Sequence, residues 1–318
     1  MKRLISILVS LVILALIYWR IDFDGLVEVF RDCDRLWMVI SLGMVIPITA
    51  ITSWRLQQMT PPQAQLGFGE ANRLILAASS LNMVLPSKMG DIAKAYFMRD
   101  RGHLPGTLAL SLVVFEKTCD MLSLLLWCVF GLMFYPSKDT LFWGMTICIF
   151  AGLALGSFLL ASPQFADFFF KTARAIAPKK IKAKLDTLSQ SWREMHDYFW
   201  RDRDQLLKIT GISIFIWFLH LLQIWLFILA LNAWAPFLTN LALSPLAILA
   251  GLLPLTFAGV GTRDAALILF YQPFFAAPTG AALGLLCTSR YLLPAIGGLP
   301  FLERYLTTLR KMQRQSDS

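Results

Sequence analysis

Apolar runs at 4–19, 36–54, 71–86, 104–135, 141–161, 207–231, 240–258, 264–277 and 279–301 make up more than half of this 318-residue chain. A helix needs about 20 apolar residues to cross a bilayer's hydrocarbon core, and several of these runs reach that length. Hydrocarbon offers backbone N–H and C=O groups no partner, so such runs must form helices that satisfy their own hydrogen bonds. The composition agrees: 57% of residues are hydrophobic, only 15% are charged, and the mean hydropathy is +0.62. A soluble chain of this size would need far more polar surface.

Two runs do not fit a simple span. Residues 71–86 are short and interrupted by Ser79, Ser80, Asn82 and Pro86, and 264–277 is short and contains Pro273. Each adjoins a break that carries a cation and a carboxylate. The first reads Leu85-Pro86-Ser87-Lys88-Met89-Gly90-Asp91, the second Ala258-Gly259-Val260-Gly261-Thr262-Arg263-Asp264. From Lys88 to Arg263 is 175 residues (263 − 88). Paired Gly/Pro-interrupted segments in two halves of a membrane protein point to a substrate site near the midplane.

Basic residues set the orientation. Loop 20–35 carries three Arg and five acids and is expected outside, whereas loop 162–206 carries nine Lys/Arg and is expected in the cytoplasm. The start, Met1-Lys2-Arg3 and then Leu4 to Trp19, lacks a small-residue cleavage site and ends in the interfacial anchor Tyr18-Trp19-Arg20, so it reads as a retained helix. Both termini are then cytoplasmic. Segment 71–100 dips in from the cytoplasm and 240–277 from outside. The expected fold is an all-α polytopic membrane protein, with six to eight spanning helices and two re-entrant hairpins in an inverted repeat. Its parts are a first half over 1–135, an inverted second half over 136–303 with a cytoplasmic amphipathic insert at 162–206, and a basic tail over 304–318.

Within that insert, Ile181, Leu185, Leu188, Trp192, Met195 and Phe199 alternate steps of four and three, which is a helical stripe. With Lys179, Lys180, Lys182 and Lys184 at its start, 178–200 lies on an anionic leaflet, packs on the end of the bundle, or does both. The net charge of +9 sits in loops and termini and fits a membrane face rather than nucleic acid. The expected partners are membrane lipids, and a homo-oligomer stays open.

Charge inside a bilayer costs about 3 kcal/mol or more, so such residues face a cavity or a partner. Here they are Lys88, Asp91, Glu116, Lys117, Asp120, Arg263, Asp264 and Arg290. Glu116 and Asp120 share one helix face and need a cation, which Lys88, Arg263 or Arg290 can supply. Broken helix ends expose N–H groups that favour an anion, and Lys or Arg adds full charge. Lys88, Arg263 and Arg290 are therefore expected to take an anion. Asp91, Glu116, Asp120 and Asp264 hold those cations or meet a cationic or hydroxylated group, and Asn82 lines the pocket or bonds a neighbouring helix. Pro86, Gly90, Gly259 and Gly261 break the hairpins. Arg55 and Arg73 are read as interfacial residues that extend to the membrane surface.

Five cysteines without a CxxC and three histidines without ligand spacing predict neither a disulfide framework nor a metal site. No HExxH, GxSxG or Walker A sequence is present, so no cofactor and no ATP drive are expected. Asp22-Phe23-Asp24 and Asp32-Cys33-Asp34 have DxD form, which leaves a sugar transferase acting on a polyprenyl phosphate as the enzymatic alternative. A non-transporting partner in envelope assembly is another.

The stretch Asn82…Leu85-Pro86…Gly90-Asp91, followed by Glu116-Lys117…Asp120, resembles the signature of the lysylphosphatidylglycerol synthase transmembrane (flippase-like) family. Trp54-Arg55, Gly259-Val260-Gly261…Arg263-Asp264 and Arg290-Tyr291-Leu292-Leu293-Pro294 are similar to its other motifs. The resemblance covers nearly the whole chain. It implies a bacterial inner-membrane protein that moves or handles lipids between leaflets. Bifunctional relatives carry a soluble aminoacyl-transferase domain after the membrane region, and that activity is not expected here. Lys88 stands where the family commonly has Arg, which removes the planar fork for bidentate phosphate contact.

Overall fold

A computed structural model describes residues 23–84, 89–100, 104, 106–135, 138–252 and 261–316. The run 4–19, and with it the retained first helix, lies outside the described residues. So do Pro86, Lys88 and Gly259.

All regular structure among the described residues is helical: α1 Phe23–Arg31, α2 Arg35–Met59, α3 Phe68–Val84, α4 Met89–Asp100, α5 Gly106–Phe134, α6 Thr140–Ala161, α7 Pro163–Ile176, α8 Lys179–Phe199, α9 Arg203–Ala230, α10 Phe237–Gly251, α11 Thr262–Tyr271 and α12 Ala277–Ser316. Local chemistry sets several ends. Asp34 caps α2 by accepting from the Leu36 and Trp37 N–H groups at 2.8 and 3.1 Å. Ser162 caps α7, with Pro163 as its first residue. After α9, Asn232 takes a left-handed conformation with φ 52°, as a residue ending a helix often does.

Among the described residues four helices are long and apolar enough to span a bilayer: α2, α6, α9 and α12 over Ala277–Leu302. Helix α5 has 29 residues, about 43 Å at 1.5 Å per residue. It reaches as far but carries Glu116, Lys117 and Asp120 near its middle. The chain is a polytopic membrane protein. Helices α3 and α4 pack on each other, as do α10 and α11, so both expected hairpins form as helix pairs.

The chain divides into two compact units. One comprises Met1–Ile48, Leu124–Ile149 and Ile216–Leu293, the other Thr49–Ser123, Phe150–Phe215 and Pro294–Ser318. The core of the latter includes Leu56, Met59, Leu74, Phe97, Phe115, Met195 and Phe199, with the Phe115 and Phe199 rings stacked at 3.7 Å. Leu185, Leu188, Trp192, Met195 and Phe199 of α8 face this core, and the Trp192 indole N–H donates to the Leu159 carbonyl at 3.0 Å. The apolar stripe of 178–200 therefore packs inward, which leaves little of it for lipid. In the former unit, the α10–α11 pair closes on a buried polar trio. The Tyr271 hydroxyl lies 2.8 Å from the Ser244 hydroxyl and 3.0 Å from Asn240 Oδ1, and Asn240 Nδ2 donates to the Leu221 carbonyl.

Candidate functional site

Each unit holds one cluster of buried charge. In the unit containing Thr49–Ser123, the cluster is built on α5. Glu116 and Asp120 are one turn apart and so present their carboxylates on one face. Arg55 of α2 reaches both: Nη2 lies 3.1 Å from Glu116 Oε1, and Nη1 lies 2.5 Å from Asp120 Oδ1 and 2.9 Å from the Ser213 hydroxyl. Lys94 of α4 pairs with the other Glu116 oxygen. Lys117 sits 3.2 Å from Asp120 and 3.4 Å from Asp91.

Among the described residues the cations that hold Glu116 and Asp120 are thus Arg55, Lys94 and Lys117, instead of the Arg263 or Arg290 expected from sequence; Lys88, the third expected cation, lies outside the described residues. Arg55 is 2% exposed, not an interfacial residue extended to the surface. The reason is its place in α2: it lies in the span's last turns, on the face turned to α5, where two carboxylates outweigh the reach to water. Lys94 is fully buried as well, although sequence reading did not single it out among the intramembrane cations. The only signal for it was its spacing, one helical turn after Asp91.

Among the described residues the cluster joins three cations to three carboxylates, so its attractions are mutual. It ties α2, α4 and α5 together. Nearby, Gly90 opens α4 against α3. A Cβ there would overlap the Ala78 carbonyl oxygen and the Asn82 side chain, so only glycine allows the two hairpin arms this approach. Asn82 Oδ1 is buried and has no hydrogen-bond partner among the described residues.

The second cluster lies in the unit containing Ile216–Leu293. Gly261 precedes α11 with φ 101°, a conformation that L side chains rarely adopt. Its N–H donates to Asp264 Oδ2 at 2.9 Å, so Asp264 satisfies the first turn of α11. The other Asp264 oxygen accepts from Arg263 Nε at 3.0 Å and Nη2 at 2.7 Å. Nη2 also donates to the Gly284 carbonyl at 3.0 Å and the Thr288 hydroxyl at 2.7 Å, which fixes the guanidinium against α12. Arg263 Nη1 is buried without a hydrogen-bond partner among the described residues.

Arg290, on α12, is 6% exposed. Among the described residues no carboxylate pairs with it. Its nitrogens meet only the Cys287 and His220 carbonyls, both at the long distance of 3.4 Å, and its guanidinium carbon lies 5.6 Å from the Tyr291 ring centre. Asp264, by contrast, is engaged by Arg263. A cation so weakly held inside a membrane protein is expensive unless an anion completes it.

The remaining chemistry is less productive. Asp34 of the acidic segment 20–35 is engaged as a helix cap. No group of three or more His, Cys, Asp or Glu side chains is placed to hold a metal among the described residues. Sequence reasoning missed Ser213 and Thr288 as donors or acceptors in these clusters, because a lone hydroxyl in an apolar helix looks the same whether it faces a neighbour or its own backbone.

Comparison with known proteins agrees with a membrane chain. The family model described as the lysylphosphatidylglycerol synthase TM region matches residues 3–298. A UPF0104 membrane protein of Methanocaldococcus jannaschii is 24% identical over 318 aligned residues, covering 93% of this chain and 93% of the relative.

Proposed function

The chain belongs to the lysylphosphatidylglycerol synthase transmembrane family, and on that premise we propose that it is a carrier rather than an enzyme: a translocase that moves a phospholipid or polyprenyl-type lipid with an anionic head group between leaflets. The observation that carries this is Arg290, a buried guanidinium with no carboxylate among the described residues and only two long hydrogen bonds. A head-group phosphate matches its five donors and its charge. Arg263 Nη1 adds a further unsatisfied donor in the same unit. Asp264 holds Arg263 by charge and by hydrogen bonds, so that guanidinium is pre-oriented rather than free. Lys88 supplies the corresponding cation of the first hairpin. The hydrophobic chains of the lipid stay in the bilayer. The protein sits in the bacterial inner membrane with both termini in the cytoplasm, in keeping with the nine Lys/Arg of 162–206 against the five acids of 20–35.

The test is leaflet exchange of labelled lipids in proteoliposomes. Arg290→Met keeps the approximate length and removes charge and donors. It should abolish exchange of anionic lipids at near-normal folded yield, and Arg290→Lys should restore part of it. Undiminished exchange by a well-folded Arg290→Met variant defeats the proposal.

A further inference from the structure

Helix α7 follows α6 after a single residue, Ser162, so it starts at the end of a membrane span. Its Ala166 and Phe170 are buried, and Asp167 and Arg174 are ion-paired to Arg193 and Asp186 of α8. At 100° per residue, the side of α7 turned away from α8 carries Phe165, Phe168, Phe169, Thr172 and Ile176. Phe168 is 67% exposed and Ile176 81%. Thr172 is the one polar residue in that arc.

Two observations say what covers this face. First, the Phe165 ring lies 5.6 Å from Phe158 of α6. Phe158 is 59% exposed on a span whose apolar window is only 6% buried, and therefore faces lipid. Through that contact the arc of α7 adjoins the exposed apolar face of α6. Second, residues 168–184 hold Lys171, Arg174, Lys179, Lys180, Lys182 and Lys184 and no acid. A row of aromatic and aliphatic residues flanked by unbroken positive charge is complementary to an anionic leaflet, with apolar groups at acyl depth and cations among the phosphates.

We propose that α7 is an interfacial helix that docks the α7–α8 pair onto anionic lipid, with Phe165, Phe168, Phe169 and Ile176 in the acyl boundary and Lys171 and Lys182 on head groups. The stripe of α8 itself is occupied by the protein core, so α7 supplies the apolar contact and the start of α8 supplies charge. This does not depend on what the protein transports.

Photo-crosslinking tests it on the full chain in lipid nanodiscs. Phe168→p-benzoylphenylalanine, and separately Ile176→p-benzoylphenylalanine, place a photoprobe in the arc. Gln190→p-benzoylphenylalanine places it on an exposed position of α8. Nanodiscs contain either phosphatidylglycerol with phosphatidylcholine or phosphatidylcholine alone, and adducts are read by intact mass. The expected result is lipid adducts at 168 and 176 at about ten-fold the yield at 190, lower in phosphatidylcholine alone. In the mixed lipid, Lys171→Gln with Lys182→Gln should cut the phosphatidylglycerol preference about five-fold or more. Equal yields at all three sites, adducts to a second copy of the chain in place of lipid, or a lipid preference unmoved by the lysine changes each overturn the proposal. Because two arc positions are probed, misfolding of one variant leaves the other to decide.

Discussion

Arg55 donates to Glu116 at 3.1 Å across 61 residues of sequence, and both side chains are 2% exposed. Neither residue is tolerable alone in hydrocarbon. Together with Lys94, Lys117, Asp91 and Asp120 they form a bolt through three helices. Breaking such a pair strands a charge, which costs more than the pair itself contributes.

Arg55→Met should therefore destabilise the protein by about 3–5 kcal/mol, because Asp120 keeps only the half-exposed Lys117. A thermal scan in detergent or nanodiscs checks this. A midpoint within experimental error of the parent's would mean the pair is not a structural tie.

Lys94→Met should be similarly damaging, and adding Glu116→Gln should recover part of the loss. The second change removes the carboxylate that the first leaves unpaired, so the double variant is more stable than the simple sum of the two. The measurement is a double-mutant cycle on folded yield and melting midpoint.

Asp264 plays two roles that separate by substitution. Asp264→Asn can still accept from the Gly261 N–H but loses the charge that holds Arg263, whereas Asp264→Ala loses both. The alanine variant should be the less stable of the two by about 1 kcal/mol, the usual worth of a helix N-terminal hydrogen bond. Equal melting midpoints would show that the bond to Gly261 contributes nothing.

Tyr271→Phe removes a hydroxyl that lies within hydrogen-bond distance of both Ser244 and Asn240. The Ser244 hydroxyl still reaches Asn240 Oδ1 at 2.9 Å, so no carbonyl oxygen is orphaned. The loss should be about 1 kcal/mol. Asn240→Ala should cost more, since it removes the shared acceptor of both hydroxyls and a donor to the Leu221 carbonyl, and leaves the two hydroxyls only each other. Chemical unfolding of the two variants side by side tests the order.

Gly90→Ala should sharply reduce folded yield, because the added methyl meets the backbone of α3 rather than a movable side chain. Gly144→Ala, where nothing lies within 4 Å, is the matched control and should be neutral. Size-exclusion profiles of the two proteins decide it.

Sequence alone determined the solvent, the helices and the two breaks. Hydropathy adds up locally along a segment, so the spans of α2, α6, α9 and α12 were visible as runs. Gly90 and Gly261 were visible because only glycine tolerates a close approach or a positive φ, and such residues stand out in apolar sequence. Arg263 with Asp264 could be read as a cation beside an acid. What only the tertiary structure decided was partnership. Whether Arg55 extends to water or turns to Glu116 depends on the rotation of α2 against α5, and no local pattern encodes that rotation. Lys94 carried no mark of its own until α4 packed its buried face onto α5. The stripe of α8 was equally suited to lipid or protein, and packing against Phe115 and Leu159 chose protein. Charge in a membrane protein is placed by which helices meet, and the energy of that meeting is spread over side chains far apart in sequence.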